Sequence, residues 1–551
     1  MNIINRLKSI FHFDNLIVFY LVPVWLFTLC ARIYKFNNSG STNYGNITDS
    51  IIYPALATLF VFLLLKLFKN GFLKKVILNQ LVVLYVYVLF LFSNLDLRYI
   101  CVLHIILALF VSSKDIIEHF NISKKLYSLL LFSFCIVFLF IHNTQNGIFS
   151  INNNKQIYDS FSEGISYNSA LYYYNNPSEI SKYYFLPIIK YPNEPFHIIV
   201  DDPNLPVNNF SSKVVVYTHY PAGSDIINYL LISIIGPSNN YGPNSVLSLD
   251  KYRFFPLIVF FIGFIFLRKF LFLTIKNEWL SYLLALLILI IPAFDRYKLS
   301  LYYYSYAFSL MLIMYYATAK YFSKLSKKYL VILLIIAIIQ MWFSFDLLPM
   351  ILLSIFSISI LFITPKLKSY LLKPSITVFQ GYILGFIMRL IHNNLYYKNI
   401  SDTITELINT FLWRSTGTYA GMEPSLFYID QVLKKYNNVY IPSELFFGLQ
   451  IQVFAFILLA LLLILSYYLK NNRYRNMSYF LLFSIFASYI WIYIMRNHGA
   501  IHYFVLTRQF IPMIIAIFIV ISILLIDLVS FSKNIKFLKG KDDKTLASSS
   551  I

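Results

Sequence analysis

Apolar runs of about 15 to 20 residues recur along the chain, separated by polar stretches. At 1.5 Å per residue each crosses ~30 Å of hydrocarbon as a helix, the form in which a single segment satisfies its own backbone in lipid. The runs fall near 16–34, 51–68, 76–93, 97–113, 126–142, 254–267, 279–294, 299–321, 329–345, 347–363, 375–391, 449–468, 477–495 and 510–530. The pattern predicts an all-α polytopic membrane protein of about 14 transmembrane helices, with the short run 254–267 extending into its neighbours. Two polar stretches, 143–253 and 392–448, are too long to be connectors. In the first, Asp225 to Gly236 is an apolar dozen too short to span, so it reads as a helix lying in the interface or re-entering it. The second holds Ser401 to Phe411, with apolar residues at helical spacing, and Asp430 to Lys435 as a further short helix. The expected organisation is a four-helix segment 1–125, a core 126–391 that includes the loop 143–253, a second loop 392–448, C-terminal helices 449–532 and a tail 533–551.

Charge orients this pattern. Of 551 residues 59% are hydrophobic and 13% charged, and the formal net charge of +21 would suggest nucleic acid in a soluble protein. Here the basic residues collect in alternate short loops: Lys69/Lys74/Lys75, Lys114/Lys124/Lys125, Arg268/Lys269/Lys276, Lys324/Lys327/Lys328, Lys366/Lys368/Lys373 and Arg473/Arg475. All fall on one side if both termini are cytoplasmic, as the positive-inside rule requires, and no nucleic-acid partner is called for. Leu16 to Tyr34 has no small-residue cleavage site and reads as a retained first span. Cys30, Cys101 and Cys135 lie inside apolar runs and lack metal-ligand spacing. Seventeen of the 24 carboxylates fall on the opposite, extracytoplasmic side, eight of them in 143–253. Acids contribute little to insertion, so this excess points to chemistry or ion handling on that face.

Three constellations carry candidate chemistry. Asp159 and Glu163 stand four apart after the fifth span and would share a helix face, an arrangement that suits a general base. Thr218-His219-Tyr220-Pro221-Ala222-Gly223 breaks the chain before the interfacial helix, which Ser224 is placed to cap. Before the last span, Arg496, His498, His502 and Arg508 gather two guanidiniums and two imidazoles, a cradle for phosphate oxygens. The His498/His502 spacing resembles zinc binding, but Gly499 stands where a metalloprotease helix has its Glu, so no metal is expected. Paired ionisable residues near the midplane, which an ion-coupled transporter would carry, are missing from the apolar runs.

Taken together these features resemble the GT-C superfamily of membrane glycosyltransferases, in particular the branch of the protein O-mannosyltransferases and the lipid A arabinosyltransferase. Asp159 opens an acidic motif followed by Tyr167 and Ala170; Tyr220-Pro221-Ala222 stands at the Pro-Pro position; Ile227 to Gly236 is similar to the interfacial helix; Arg253 begins the next helix. The chain departs from the pattern at Ser160, where an acid is usual, at Ala222, and at Leu301 to Phe308, where the second acid has no match and Asp295 is the nearest substitute. The resemblance implies a GT-C-like fold and transfer of a sugar from a polyprenyl-phosphate donor to a glycan, lipid or protein acceptor, on the extracytoplasmic face of the cell membrane. Asp159, with Glu163, would serve as base; His219, Tyr220, Asp295, Arg496, His498, His502 and Arg508 would bind substrate, and no cofactor would be needed. A polysaccharide polymerase or ligase is the alternative, with a lipid-linked glycan flippase or transporter behind it.

Overall fold

The computed structural model describes residues 123–143, 160–190, 215–216, 218, 221–237, 251–290, 294, 298–416, 451–495 and 508–527. The first four expected spans, the short helix at 430–435, the tail 533–551 and the site candidates Asp159, His219, Tyr220, Asp295, Arg496, His498 and His502 lie outside them. By packing the chain divides into two units, Met1–His142 with Ile441–Phe454, and Asn143–Tyr440 with Ala455–Ile551. In the first unit the structure describes α1, Lys124–Asn143, whose buried side holds Leu131, Cys135 and Leu139 at helical spacing.

Among its described residues the second unit is mainly helical, with one small ribbon. Its elements are α2 (Ser160–Asn175), β1 (Ile188–Lys190), β2 (Val215–Val216), α3 (Gly223–Ile235), α4 (Phe254–Ile275), α5 (Glu278–Ile290), α6 (Tyr304–Lys324) and α7 (Lys327–Met341). They are followed by α8 (Leu348–Phe362), α9 (Lys373–Tyr397), α10 (Ile400–Thr416), α11 (Ile451–Leu469), α12 (Asn472–Ile494) and α13 (Arg508–Asp527). The strands β1 and β2 pair antiparallel, a two-stranded exception to the all-α expectation. Three helical stretches among the described residues are long and apolar enough to cross a membrane: Phe254–Ile275, Pro365–Tyr397 and Arg508–Asp527.

Local sequence sets most helix ends. Pro256, Pro349 and Pro374 fall in the first turns of α4, α8 and α9, where a missing N–H costs nothing. Lys276, Leu325 and Lys398 end α4, α6 and α9 in the left-handed conformation, with φ of 61°, 50° and 54°. The two-residue link Leu325–Ser326 turns α6 back as α7, so the helices run antiparallel. Two expected boundaries shift. The run 254–267 continues to Ile275, which places Arg268 and Lys269 inside the helix and not in the loop. There Arg268 lies over the Tyr282 ring, 4.3 Å from its centroid, and pairs with Glu278 at 2.5 Å. The run 299–321 yields a helix only from Tyr304, for a reason that emerges at the site.

Packing follows the small residues. Gly381 and Gly385 on α9 face α7 so closely that a Cβ on Gly381 would sit 2.6 Å from the Leu334 carbonyl oxygen, and one on Gly385 2.6 Å from the Met341 Cβ. Such small-xxx-small faces let membrane helices approach without a hydrophobic driving force between them. Serines join other helices: Ser484 Oγ meets Ser357 Oγ at 3.2 Å between α12 and α8, and Met513 N donates to Ser488 Oγ at 3.3 Å between α13 and α12. At one end of this bundle lie exposed Lys324, Lys366 and Lys368 and the Arg473–Asp527 pair at 2.9 Å. The other end gathers Arg253, Tyr303, Trp342, Asp346, Trp491 and Arg508.

Candidate active site

Two buried ion pairs organise that second end. Glu163, in the first turn of α2, is 1% exposed and meets fully buried Arg253 through both oxygens, at 2.9 and 2.8 Å. Its Oε1 also accepts the Leu301 backbone N–H at 2.8 Å, while Arg253 Nη1 donates to the Leu299 carbonyl at 2.7 Å. From α3, Asn228 Nδ2 donates to Ser166 Oγ at 2.9 Å and to the Leu301 carbonyl at 3.0 Å. The backbone of 299–301 is therefore held by side chains from α2, α3 and the start of α4. This explains why α6 begins only at Tyr304: groups that a helix would use internally are engaged by distant side chains. Around the pair, Tyr167, Ala170, Leu231, Ile232, Tyr252 and Leu301 form one apolar cluster.

The second pair is Arg508 with Asp346. Arg508 Nη2 donates to Asp346 Oδ2 at 2.9 Å and its Nη1 donates to the Tyr303 hydroxyl. Aromatic rings surround the guanidinium, with the centroids of Tyr304, Tyr303 and Trp491 at 4.9, 5.3 and 5.7 Å. Planar, weakly hydrated and always charged, a guanidinium suits such a ring-lined site. Its Nε has no hydrogen-bond partner among the described residues. Asp346, 12% exposed, also accepts Ser344 Oγ at 2.5 Å, so the carboxylate is fixed from both sides.

The start of α3 docks between these pairs. Gly223 N donates to the Trp342 carbonyl at 3.0 Å, and a Cβ at Gly223 would collide with that same oxygen, so the approach requires glycine. Just upstream, the Thr218 carbonyl accepts Arg389 Nη2 at 3.1 Å and Asn393 Nδ2 at 3.3 Å, and its hydroxyl meets Tyr397 OH at 3.0 Å. Ser224 does not cap α3: the cap position is Ala222, and the Ser224 hydroxyl is buried inside the first turn without a hydrogen-bond partner among the described residues. The break comes two residues earlier than the sequence suggests, because the Gly223–Trp342 contact fixes where the helix can begin. Asp225 follows, 1% exposed and beside Ser169; burial pushes its carboxyl well above the usual carboxylate range.

Of the expected site residues, Glu163 and Arg508 fall among those described, and both lie at this end of the bundle in separate ion pairs. Asp159 directly precedes α2, and its placement, with that of His219, Tyr220, Asp295, Arg496, His498 and His502, is outside the described residues. Among the described residues no three His, Cys, Asp or Glu side chains converge as metal ligands. Asp346, Arg389 and Asp225 belong to the polar end but were legible only as charges at the edges of apolar runs. What the sequence lacks is a signal for their partners, which stand up to 171 residues away. No family model matches the chain, and neither a curated relative nor a solved structure does.

Proposed function

We propose that this protein is an integral membrane glycosyltransferase of the GT-C type. It transfers a sugar from a polyprenyl-phosphate donor to an envelope glycan, lipid or protein acceptor. In this reading about 14 helices span the cell membrane, both termini are cytoplasmic, and the polar end of the bundle faces outward. The observation that carries it is the gathering of buried, ion-paired side chains at the end of the helices opposite their exposed lysines. Membrane proteins bury ionisable groups at a cost and chiefly where function needs them.

The chemistry assigns roles as follows. An acceptor hydroxyl attacks the anomeric carbon of the donor sugar, forming one C–O bond as the bond to the phosphate oxygen breaks. Asp159 takes the hydroxyl proton, and polyprenyl phosphate departs with the electron pair. Arg508, with Arg496, His498 and His502 nearby in sequence, neutralises the departing phosphate. His219, Tyr220 and Asp295 contribute to substrate binding. Glu163, committed to Arg253 and Leu301, acts by fixing the helix that Asp159 precedes. No cofactor enters the scheme, because the leaving group is already activated.

In membrane vesicles supplied with lipid-linked sugars, Asp159→Asn is expected to lower transfer by about 10²–10⁴-fold, the usual worth of a general base, with the purified variant still monodisperse. Near-normal activity would move the base to Asp201, Asp202 or Asp295. A deletion strain should accumulate the donor and lose one envelope sugar; unchanged pools of both would overturn the glycosyltransferase reading.

A further inference from the structure

Helix α10, Ile400–Thr416, is inside out for a helix bathed in water. Ile400, Ile404, Ile408, Phe411 and Leu412 follow the i, i+4, i+8, i+11, i+12 spacing of a single helical stripe. All five are exposed, by 41–53%. The side turned inward carries Thr403 and Thr410, whose hydroxyls donate to the Asn399 carbonyl at 3.0 Å and to Glu406 Oε1 at 3.2 Å. A helix on an aqueous surface would turn the other way, with its isoleucines against the protein.

The stripe does not stand alone. On α9, Ile383, Ile387, Ile391 and Leu395 form an exposed row at i, i+4 spacing along a stretch long and apolar enough to span a membrane. In a bilayer that row faces hydrocarbon. It leads directly to α10 across the left-handed turn at Lys398, preceded by Tyr396 and Tyr397, residues typical of the membrane–water boundary. With Asp402, Glu406 and Arg414 in its 17 residues, α10 is too polar to cross.

We infer that α10 lies in the headgroup–acyl boundary of the bilayer with its Ile400–Leu412 stripe inserted, so that its binding partner is lipid. Continuity with the apolar row of α9 selects lipid over a second copy of the chain, which would have to seat itself on a face already turned to the acyl chains. This inference rests on membrane insertion alone and holds whether or not the protein transfers sugar.

The test uses the full chain, one copy per phosphatidylcholine–phosphatidylglycerol nanodisc, with the native cysteines replaced by alanine. Single cysteines, Ile404→Cys, Ile408→Cys and Asp402→Cys, carry an environment-sensitive fluorophore. Labels at 404 and 408 should be quenched by lipid bearing a shallow nitroxide about twofold or more beyond the label at 402, which should instead respond to aqueous iodide. Equal iodide quenching at all three positions would overturn the inference. So would protection at 404 and 408 without nitroxide quenching, which identifies a protein contact in place of lipid. Each labelled variant is first shown to be monodisperse, and since all three positions are exposed, none removes a buried contact.

Discussion

Glu163 and Arg253 show what burial demands of a charged side chain. Each is almost wholly removed from solvent, and each satisfies the other through two parallel hydrogen bonds while also holding the backbone of 299–301. Such a pair adds little net stability when whole, because desolvation offsets the attraction, yet losing one partner strands the other. Glu163→Gln is therefore expected to cost about 3–5 kcal/mol, read as a fall in thermal unfolding temperature in detergent. The double variant Glu163→Leu/Arg253→Met should recover most of the loss. A double variant as unstable as the single one would mean that the bonds to Leu299 and Leu301, not the pairing of charges, hold the two residues.

At the scale of elements, α3 shows both how much the sequence discloses and where it stops. The apolar dozen from Asp225 to Gly236 predicts the helix, and Gly236 ends it with φ of 85°. Its first residue was not legible, since that depends on Trp342, more than a hundred residues later. The delayed start of α6 has the same character: Leu301 to Phe308 reads as helix throughout, and only the claims of Glu163, Arg253 and Asn228 on the preceding turn delay it. Periodicity reports what a segment does by itself; a break imposed from a distance leaves no periodic trace.

Within α3, Asp225 yields a prediction of definite sign. Burial raises its carboxyl in the folded protein above the value of about 3.9 that governs the unfolded chain. Between those two values the unfolded chain holds fewer protons than the folded one, so stability falls as pH rises through that window. Asp225→Asn, neutral throughout, should be more stable than the natural protein at pH 7, with the difference shrinking as pH falls toward 4. Thermal unfolding across pH 4 to 8 checks this; parallel curves for the two proteins would place the Asp225 carboxyl in contact with water.

For the whole molecule the decisive property is polarity from end to end. Exposed lysines mark one end of the bundle, and buried ion pairs the other. If the lysine end is cytoplasmic, a single cysteine at Asn208, between β1 and β2 in sequence, should react in intact cells with a membrane-impermeant maleimide. Reaction only after the cells are opened would invert the assignment and remove the outward-facing site with it.

The Arg508–Asp346 bond also bears on biogenesis. In the proposed membrane arrangement Asp346 is inserted with α8, but the guanidinium that neutralises it arrives only with α13, 162 residues later. Until α13 leaves the ribosome, the nascent chain carries an acid whose mature counter-ion has yet to be made. A chain stopped short of Arg508 should therefore be recognised by membrane quality control through that stranded carboxylate, and Asp346→Asn should lengthen the lifetime of the truncated form.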